Sequence, residues 1–317
     1  MARARLDILV SHYDEPVETV VAFLSMLDGQ DADPSLYRVV VGNDGHVVPV
    51  PVDAMSGHRY DVSYVETHHG GVSHIRNTLI DASSSEYLML CDVDDRFSDA
   101  TCLSRFIEMC DGHDVIASWF EHRGDVLPPS TTLVHGKAFR RGYLLDNGIR
   151  FDEDLVMSSD EYFLVQASLL TRSVLETDEC LYVWSYREDS VCHRERDFSV
   201  LTHWYHVEAE GRLAARFSDV PHLEGMFAAR LVHRSYIRMH TEAWERNSED
   251  VRCRFAVRCL SWWLRRLYGT YLSLPEDARR YRYGVELRRY GVPDPGFCGI
   301  DAWARRTMEG ECQSCAP

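Results

Sequence analysis

The N-terminal half of the chain alternates short apolar runs with stretches of helical spacing, and this alternation limits the fold more than any other feature. Apolar runs at 6–11, 37–41 and 86–91 predict strands. The stretches 17–27 and 72–82 place apolar residues three and four positions apart, which predicts helices. Strand–helix–strand order of this kind predicts an α/β fold with a mostly parallel sheet wrapped by helices.

Polar clusters stand at the ends of three predicted strands. Tyr13 and Asp14 follow the first strand, Asn43 and Asp44 follow the second, and an Asp-Val-Asp-Asp turn at 92–95 follows the third. In open parallel sheets, ligands bind beyond the carboxyl ends of the strands. The sequence therefore predicts a ligand site where these clusters meet.

The acidic turn brings Asp92, Asp94 and Asp95 within four residues. Carboxylates this close repel one another, so their ionisation is disfavoured unless a cation is shared between them. Such oxygen ligands suit Mg²⁺ or Mn²⁺, which keep coordination positions open for substrate phosphates. The pattern indicates a divalent-metal site, and a solvated acidic turn is the alternative.

Beyond residue 130 the pattern changes. A strand is predicted at 131–134, followed by helices at 137–146 and 159–170. From residue 196 almost everything has helical spacing, with long helices predicted at 196–217, 221–246 and 251–272. The chain is therefore expected to end in a helical region that is separate from the α/β part.

Charge is divided unevenly between these two parts. Residues 1–199 hold 35 acidic against 16 basic residues, a net charge of −19, whereas residues 200–317 hold 18 basic against 15 acidic residues. The opposite signs predict that the two parts face different partners.

The last long helix carries a row of cations. At 100° per residue, Arg254, Arg258 and Arg265 fall within about 40° of one another, and Phe255 and Trp262 flank them. Such a row can contact an anionic glycan, a membrane surface or nucleic acid, and a solvated face is the alternative. The apolar face opposite is predicted to pack on the α/β part or on another subunit, which leaves a homo-oligomer open.

The sequence contains no run of 18 apolar residues, so no membrane-spanning helix is predicted. Residues 1–5 lead directly into a predicted strand, and no signal peptide is recognisable. We therefore expect a cytoplasmic protein, peripheral to a membrane at most, with reduced cysteines. Cys312 and Cys315 have zinc-like spacing, but no second pair lies nearby.

Seven stretches resemble, in the same order, the motifs of the inverting glycosyltransferase family 2, whose fold is termed GT-A. They are 10–14 (Val-Ser-His-Tyr-Asp), 41–45 (Val-Gly-Asn-Asp-Gly), 69–77 (His-Gly-Gly-Val-Ser-His-Ile-Arg-Asn), 86–95 (Glu-Tyr-Leu-Met-Leu-Cys-Asp-Val-Asp-Asp), 136–141 with 148–152, 159–163 (Ser-Asp-Glu-Tyr-Phe) and 190–193 (Ser-Val-Cys-His). Asn43 and Ser159 stand where the family has Asp and Glu. The resemblance implies a GT-A catalytic domain over 1–195 and a helical C-terminal region over 196–317.

The resemblance also implies a nucleotide-diphosphate sugar as donor, with UDP as the expected nucleotide. It assigns donor binding to Ser11, His12, Tyr13, Asp14, Asn43, Asp44, Arg76 and Asp92. Among these, Arg76 would meet the diphosphate, and the glycines at 70 and 71 would let the backbone approach phosphate.

The metal and the base are assigned in the same way. Asp94 would bind Mn²⁺ or Mg²⁺ directly, Asp92 would contact the ribose or the metal, Asp95 would support them, and His193 would complete the site. Asp160 would act as the catalytic base, with its neighbour Glu161 as the alternative. Both acids are also ordinary residues for the first turn of a helix.

The resemblance thus implies metal-dependent, inverting transfer of a sugar to an acceptor hydroxyl. A surface glycan or a lipid-linked precursor is the expected acceptor, contacted by Arg254, Arg258, Trp262 and Arg265. One alternative is transfer to hydroxymethylated bases in DNA, against which the net charge of −16 argues. Another is a catalytically silent module that only binds sugar nucleotides.

Overall fold

The computed structural model describes residues 4–45, 50–130, 132–186 and 198–310 of the chain. The chain divides into two compact units, an N-terminal unit of residues 1–187 and a C-terminal unit of residues 188–317.

The N-terminal unit is built on one sheet. Its strands are β1 (Leu6–His12), β2 (Tyr37–Asn43), β3 (Asp61–Glu66), β4 (Tyr87–Asp92), β5 (Arg96–Phe97), β6 (Val115–His122), β7 (Asp125–Leu127), β8 (Lys137–Arg140) and β9 (Val174–Trp184). The strands lie in the order β3-β2-β1-β4-β8-β6-β9-β5, with β7 paired to β6. β1 is parallel to β2 and β4, β2 is parallel to β3, and β8 runs antiparallel to both of its neighbours. The predicted α/β class with a mostly parallel sheet is confirmed.

Helices cover this sheet. They are α1 (Val17–Asp28), α2 (Val72–Ala82), α3 (Cys102–Met109), α4 (Arg141–Asp146) and α5 (Ser159–Leu170), and a short 3₁₀ turn spans Val52–Met55. Alternate residues of β1 serve separate cores: Ile8 and Val10 pack with Phe23 of α1, whereas Leu9 packs with Leu79 of α2. Strands buried on both faces are typical of a parallel sheet between helices.

The segment around residue 137 differs from the prediction. Residues 132–134 lie in a loop, and the predicted helix 137–146 is divided into strand β8 and helix α4. Ala138 pairs with Met89 of β4 on one side and with Ile116 of β6 on the other. Two open strand edges therefore draw this short apolar run into the sheet, against its helical spacing, because periodicity alone does not decide such short runs.

The C-terminal unit is helical, as predicted. Its helices are α6 (Phe198–Leu201), α7 (His203–Arg216), α8 (Pro221–Arg238), α9 (Glu242–Asn247), α10 (Val251–Ser273), α11 (Glu276–Tyr290) and α12 (Ile300–Glu309), with a 3₁₀ turn at Phe297–Gly299. The helix predicted at 251–272 is confirmed as α10. The one predicted at 221–246 ends earlier, because the Thr241 hydroxyl accepts a hydrogen bond from the Trp244 amide and begins α9.

The apolar face of α10 packs within its own unit, against α7 and α8. Leu260 and Leu264 are fully buried, and Gly211 of α7 lies so close to Trp263 that an added Cβ would stand 2.2 Å from the ring. This corrects the expectation that the face covers the α/β part or another subunit. In the described part of the chain, no helix combines the length and apolar character that crossing a bilayer requires.

Candidate active site

The carboxyl ends of β1, β2 and β4 lie side by side. Ser11 pairs in register with Asp92 of β4, and His12 pairs with Asn43 of β2. The Ser11 hydroxyl also lies 3.3 Å from an Asp92 carboxylate oxygen, to which it donates. Parallel pairing therefore brings together four of the eight residues expected to bind the donor.

Asp44 organises the turn that leads into α2. Its buried carboxylate accepts hydrogen bonds from the amides of Gly70 and Gly71 at 2.8 and 2.9 Å. It also lies 2.8 Å from Nδ1 of His69, whose ring stacks on that of Tyr13 at 4.2 Å between centroids. The amides of Gly70 and Gly71, which were expected to approach phosphate, thus donate to Asp44 and fix the loop below Tyr13.

Gly45 is expected to be essential to this turn. Its φ of +76° disfavours any side chain, and an added Cβ would stand 2.3 Å from the amide nitrogen of His69. Gly57 has a similar φ of +83° but nothing within 4 Å of the same position, so it is a matched control. We expect Gly57→Ala to lower the free energy of unfolding by about 1–2 kcal/mol. Gly45→Ala should lower it by about 3 kcal/mol or more, because backbone must move. An equal loss of unfolding free energy in the two variants, measured by urea denaturation, would contradict this role of Gly45.

Arg76 of α2 joins two carboxylates that are far apart in the sequence. Its guanidinium contacts Asp92 at 2.8 Å and Asp160 at 2.6 Å, and the side chain is almost fully buried. Burial opposes the charge on Arg76, but the carboxylates of Asp160 and Asp92 raise its pKa above the usual arginine value. The structure thus places Arg76 between two acids, where the resemblance had assigned it to the diphosphate.

Asp160 is the second residue of α5, which begins directly after Ser158, a residue with a left-handed φ of +64°. One oxygen contacts Arg76, and the other accepts a 3.4 Å hydrogen bond from the Val134 amide. The Asp160 side chain keeps 21% of its surface exposed, whereas its neighbour Glu161 is buried at 6%. Arg76 links Asp160 to Asp92 of the acidic turn.

The described residues include one cluster with the ligand types of a metal site. Oxygens of Asp92 and Asp95 and a ring nitrogen of His135 lie within 4.8 Å of one another. Asp95 accepts hydrogen bonds from the Tyr182 hydroxyl at 2.7 Å and from the Ser185 amide at 2.9 Å. These bonds hold one carboxylate of the cluster in place.

The electrostatics of this cluster follow from its burial. Burial favours the neutral acid at Asp92, yet the Arg76 guanidinium lowers the pKa of that carboxyl. Burial raises the pKa of Asp95. Nδ1 of His135 is buried 3.4 Å from an Asp95 oxygen and forms no hydrogen bond within the described chain. A cation shared among the three would offset these costs.

Asp94 and His193 were also expected to bind the metal. Asp94 is half-buried on the same turn and is not one of the three clustered ligands. His193 lies outside the described residues, as do Cys312 and Cys315. Sequence reasoning missed His135, whose only local signal is its place directly before the Gly-Lys segment that resembles a family motif.

Lys137, the only lysine of the chain, supports the loop that carries His135. Its ammonium group donates to the carbonyls of Leu133 at 2.8 Å and His135 at 3.3 Å. Burial lowers the pKa of Lys137 to about 8. The ammonium group therefore ties both ends of a short loop together beside the acidic cluster.

The carboxyl edge of the parallel sheet holds Asn43 and Asp92, and the buried Arg76 links Asp92 to Asp160 at the start of α5. Comparison with known families assigns this chain to the glycosyltransferases. The family model "Glycosyl transferase family 2" matches residues 7–166, half of the chain. The chain belongs to this family. A search of curated proteins gave no significant match.

Solved structures show the same fold. TarS of S. aureus (residues 1–349) in complex with UDP-GlcNAc is 18% identical with a TM-score of 0.67, over 96% of this chain and 91% of that one. Its complex with UDP gives 17% identity and a TM-score of 0.64, over 96% and 90% of the two chains. The mannosyltransferase PcManGT of Pyrobaculum calidifontis, in complex with GDP-Man and Mn²⁺, is 16% identical with a TM-score of 0.54, over 99% and 86%. The expected GT-A fold is confirmed.

Proposed function

We propose that this enzyme transfers a sugar from a UDP-linked donor to an acceptor hydroxyl with inversion at the anomeric carbon. The observation that carries the proposal is the Asp92–Arg76–Asp160 chain of contacts. It couples Asp92, at the carboxyl edge of the sheet, to the partly exposed Asp160, which can receive a proton. In this proposal, residues 1–195 form the catalytic domain and 196–317 serve acceptor, membrane-surface or subunit contacts.

The donor is proposed to lie across the ends of β1, β2 and β4. Tyr13 exposes 40% of its surface and rests on His69, so it offers a supported aromatic face to a base. The buried amide of Asn43 is able both to donate and to accept hydrogen bonds, as uracil recognition requires. TarS was solved with UDP and with UDP-GlcNAc, which supports UDP over other nucleotides.

A divalent cation, Mn²⁺ or Mg²⁺, fits the residues present. Asp92, Asp95 and His135 supply carboxylate oxygens and an imidazole nitrogen, a set that Mn²⁺ accepts. The buried Nδ1 of His135 lies 3.4 Å from an Asp95 oxygen, so this nitrogen and that carboxylate can face the same ion. Asp94 and His193 remain further proposed ligands. When bound, such an ion would neutralise the leaving diphosphate.

Asp160 is proposed as the general base. As the acceptor oxygen forms its bond to the anomeric carbon, the bond from that carbon to the diphosphate breaks, and the hydroxyl proton passes to the Asp160 carboxylate. Arg76 and the Val134 amide hold that carboxylate in one orientation. The acceptor is proposed to be a surface glycan or a lipid-linked precursor.

The C-terminal residues proposed for acceptor contact are exposed on α10, as expected: Arg254, Arg258, Trp262 and Arg265. Two of them also make contacts within the chain. Arg254 donates to the carbonyl of Glu249, and Arg265 donates to the carbonyl of Met308. Arg258 and Trp262 are therefore the stronger proposals for contact with an acceptor.

Nucleotide binding tests the proposed donor. In calorimetric titrations with UDP, GDP, CDP and dTDP, we expect UDP to bind most tightly in the presence of Mn²⁺. Chelation by EDTA should weaken that binding at least tenfold, because the diphosphate then faces an uncompensated acidic cluster. Asn43→Ala should weaken the binding of UDP more than the binding of GDP. Tightest binding of GDP would contradict UDP as the nucleotide of the donor. Equal UDP binding with and without EDTA would contradict the proposed metal site.

A further inference from the structure

One side of α10 is exposed along the helix and is rich in arginine. The helix contains five arginines and no acidic residue among its 23 residues. We use the name α10 stripe for six of its exposed residues: Phe255, Arg258, Trp262, Arg265, Arg266 and Leu272. At 100° per residue, all six lie within roughly 60° of one direction. Their spread along the axis is about 26 Å at 1.5 Å per residue.

The aromatic rings of the stripe are paired with its cations. The guanidinium carbon of Arg258 lies 5.7 Å from the centre of the Phe255 ring, and that of Arg266 lies 4.6 Å from the Trp262 ring. Trp262 nevertheless exposes 50% of its surface and Phe255 exposes 41%. One face of each ring lies against its arginine. Their remaining surface is apolar and is flanked by charge.

We propose that the α10 stripe docks the protein on an anionic lipid surface. Arginines attract anionic headgroups, while exposed tryptophan, phenylalanine and leucine side chains gain free energy by entering the boundary between headgroups and acyl chains. A row about 26 Å long suits an extended surface better than a small ligand held in a pocket. Residues 1–199 carry a net charge of −19, so an anionic lipid surface repels that part of the chain.

Flotation with lipid vesicles tests this docking on the full chain. Vesicles of equal phosphatidylglycerol and phosphatidylcholine should bind the protein, and pure phosphatidylcholine vesicles should not. The R258Q/R266Q variant should bind about 25-fold more weakly, roughly fivefold for each arginine lost. Trp262→Ala should weaken vesicle binding several-fold, and R258K/R266K should bind vesicles within about twofold of the wild type. Binding should weaken as salt rises.

The matched control is R288Q/R289Q, which removes two exposed arginines from α11 in the same unit. This variant makes the same change in net charge, and its vesicle binding should stay within about twofold of that of the wild type. Equal loss in this control, equal binding to neutral vesicles, or binding to soluble polyphosphate or DNA without binding to vesicles would each overturn the proposal. Vesicle binding needs no donor, so its outcome is separate from that of sugar transfer.

Discussion

Asp160→Asn should lower the rate of sugar transfer by roughly 10²–10⁴-fold, the range expected when a general base is removed. Asparagine is nearly isosteric and keeps oxygen and nitrogen atoms beside Arg76 and the Val134 amide. It cannot take up the acceptor proton, so the chemical step should fail while UDP binding stays within about threefold. The measurement is release of UDP from a UDP-sugar, combined with calorimetry for binding.

Glu161→Gln is the matched control for this variant. It makes the same acid-to-amide change one residue later on α5, at a buried side chain. We expect it to retain most of the turnover if it folds, which its thermal transition shows. An inactive Glu161→Gln together with an active Asp160→Asn would place the base one residue later. An active Asp160→Asn alone would contradict the assignment of Asp160.

His135→Gln should weaken Mn²⁺ binding by roughly 10–100-fold and lower turnover at limiting Mn²⁺. The imidazole supplies the only nitrogen of the cluster formed with Asp92 and Asp95. The measurement is the Mn²⁺ concentration that gives half-maximal release of UDP. Raising Mn²⁺ should restore part of the activity, which a purely structural defect would not allow.

Asp94→Ala compares the ligand set implied by the family resemblance with the set that the geometry favours. We expect this variant also to lose turnover, by more than about 100-fold, because Asp94 lies on the turn between two clustered ligands. Full activity of Asp94→Ala in the presence of a chelator would contradict metal dependence. An unchanged Mn²⁺ requirement in His135→Gln would favour Asp94 over His135 as the ligand.

The elements with strong local signals were predictable from the sequence. The helix at 72–82 agrees with α2, because its apolar positions follow one helical face over several turns. The helix at 159–170 agrees with α5, which is buried on most sides, so its signal is a long apolar stretch that follows two acids. β8 was not predictable in this way, since its pairing partners lie in β4 and β6 and no local pattern records them.

The same distinction holds at the site. Asp92 and Asp160 were identified from motifs, but their connection through Arg76 depends on residues 84 positions apart in the chain. His135 lies in none of the seven stretches, and it becomes a candidate ligand only because β8 carries its loop beside the acidic turn. Long-range contacts of this kind are set by the packing of the sheet, and an isolated motif does not encode them.

Release of UDP from UDP-GlcNAc, followed over time with Mn²⁺ and with EDTA, tests the central proposal most directly. We predict Mn²⁺-dependent release by the wild-type protein, loss of that release in EDTA, and at least a hundredfold slower release by Asp160→Asn with UDP binding retained. If UDP-GlcNAc is not cleaved, the same assay with UDP-glucose and UDP-galactose covers other sugars on the same nucleotide. Tight UDP binding without release from any of these donors would contradict the account and leave a sugar-nucleotide binding module.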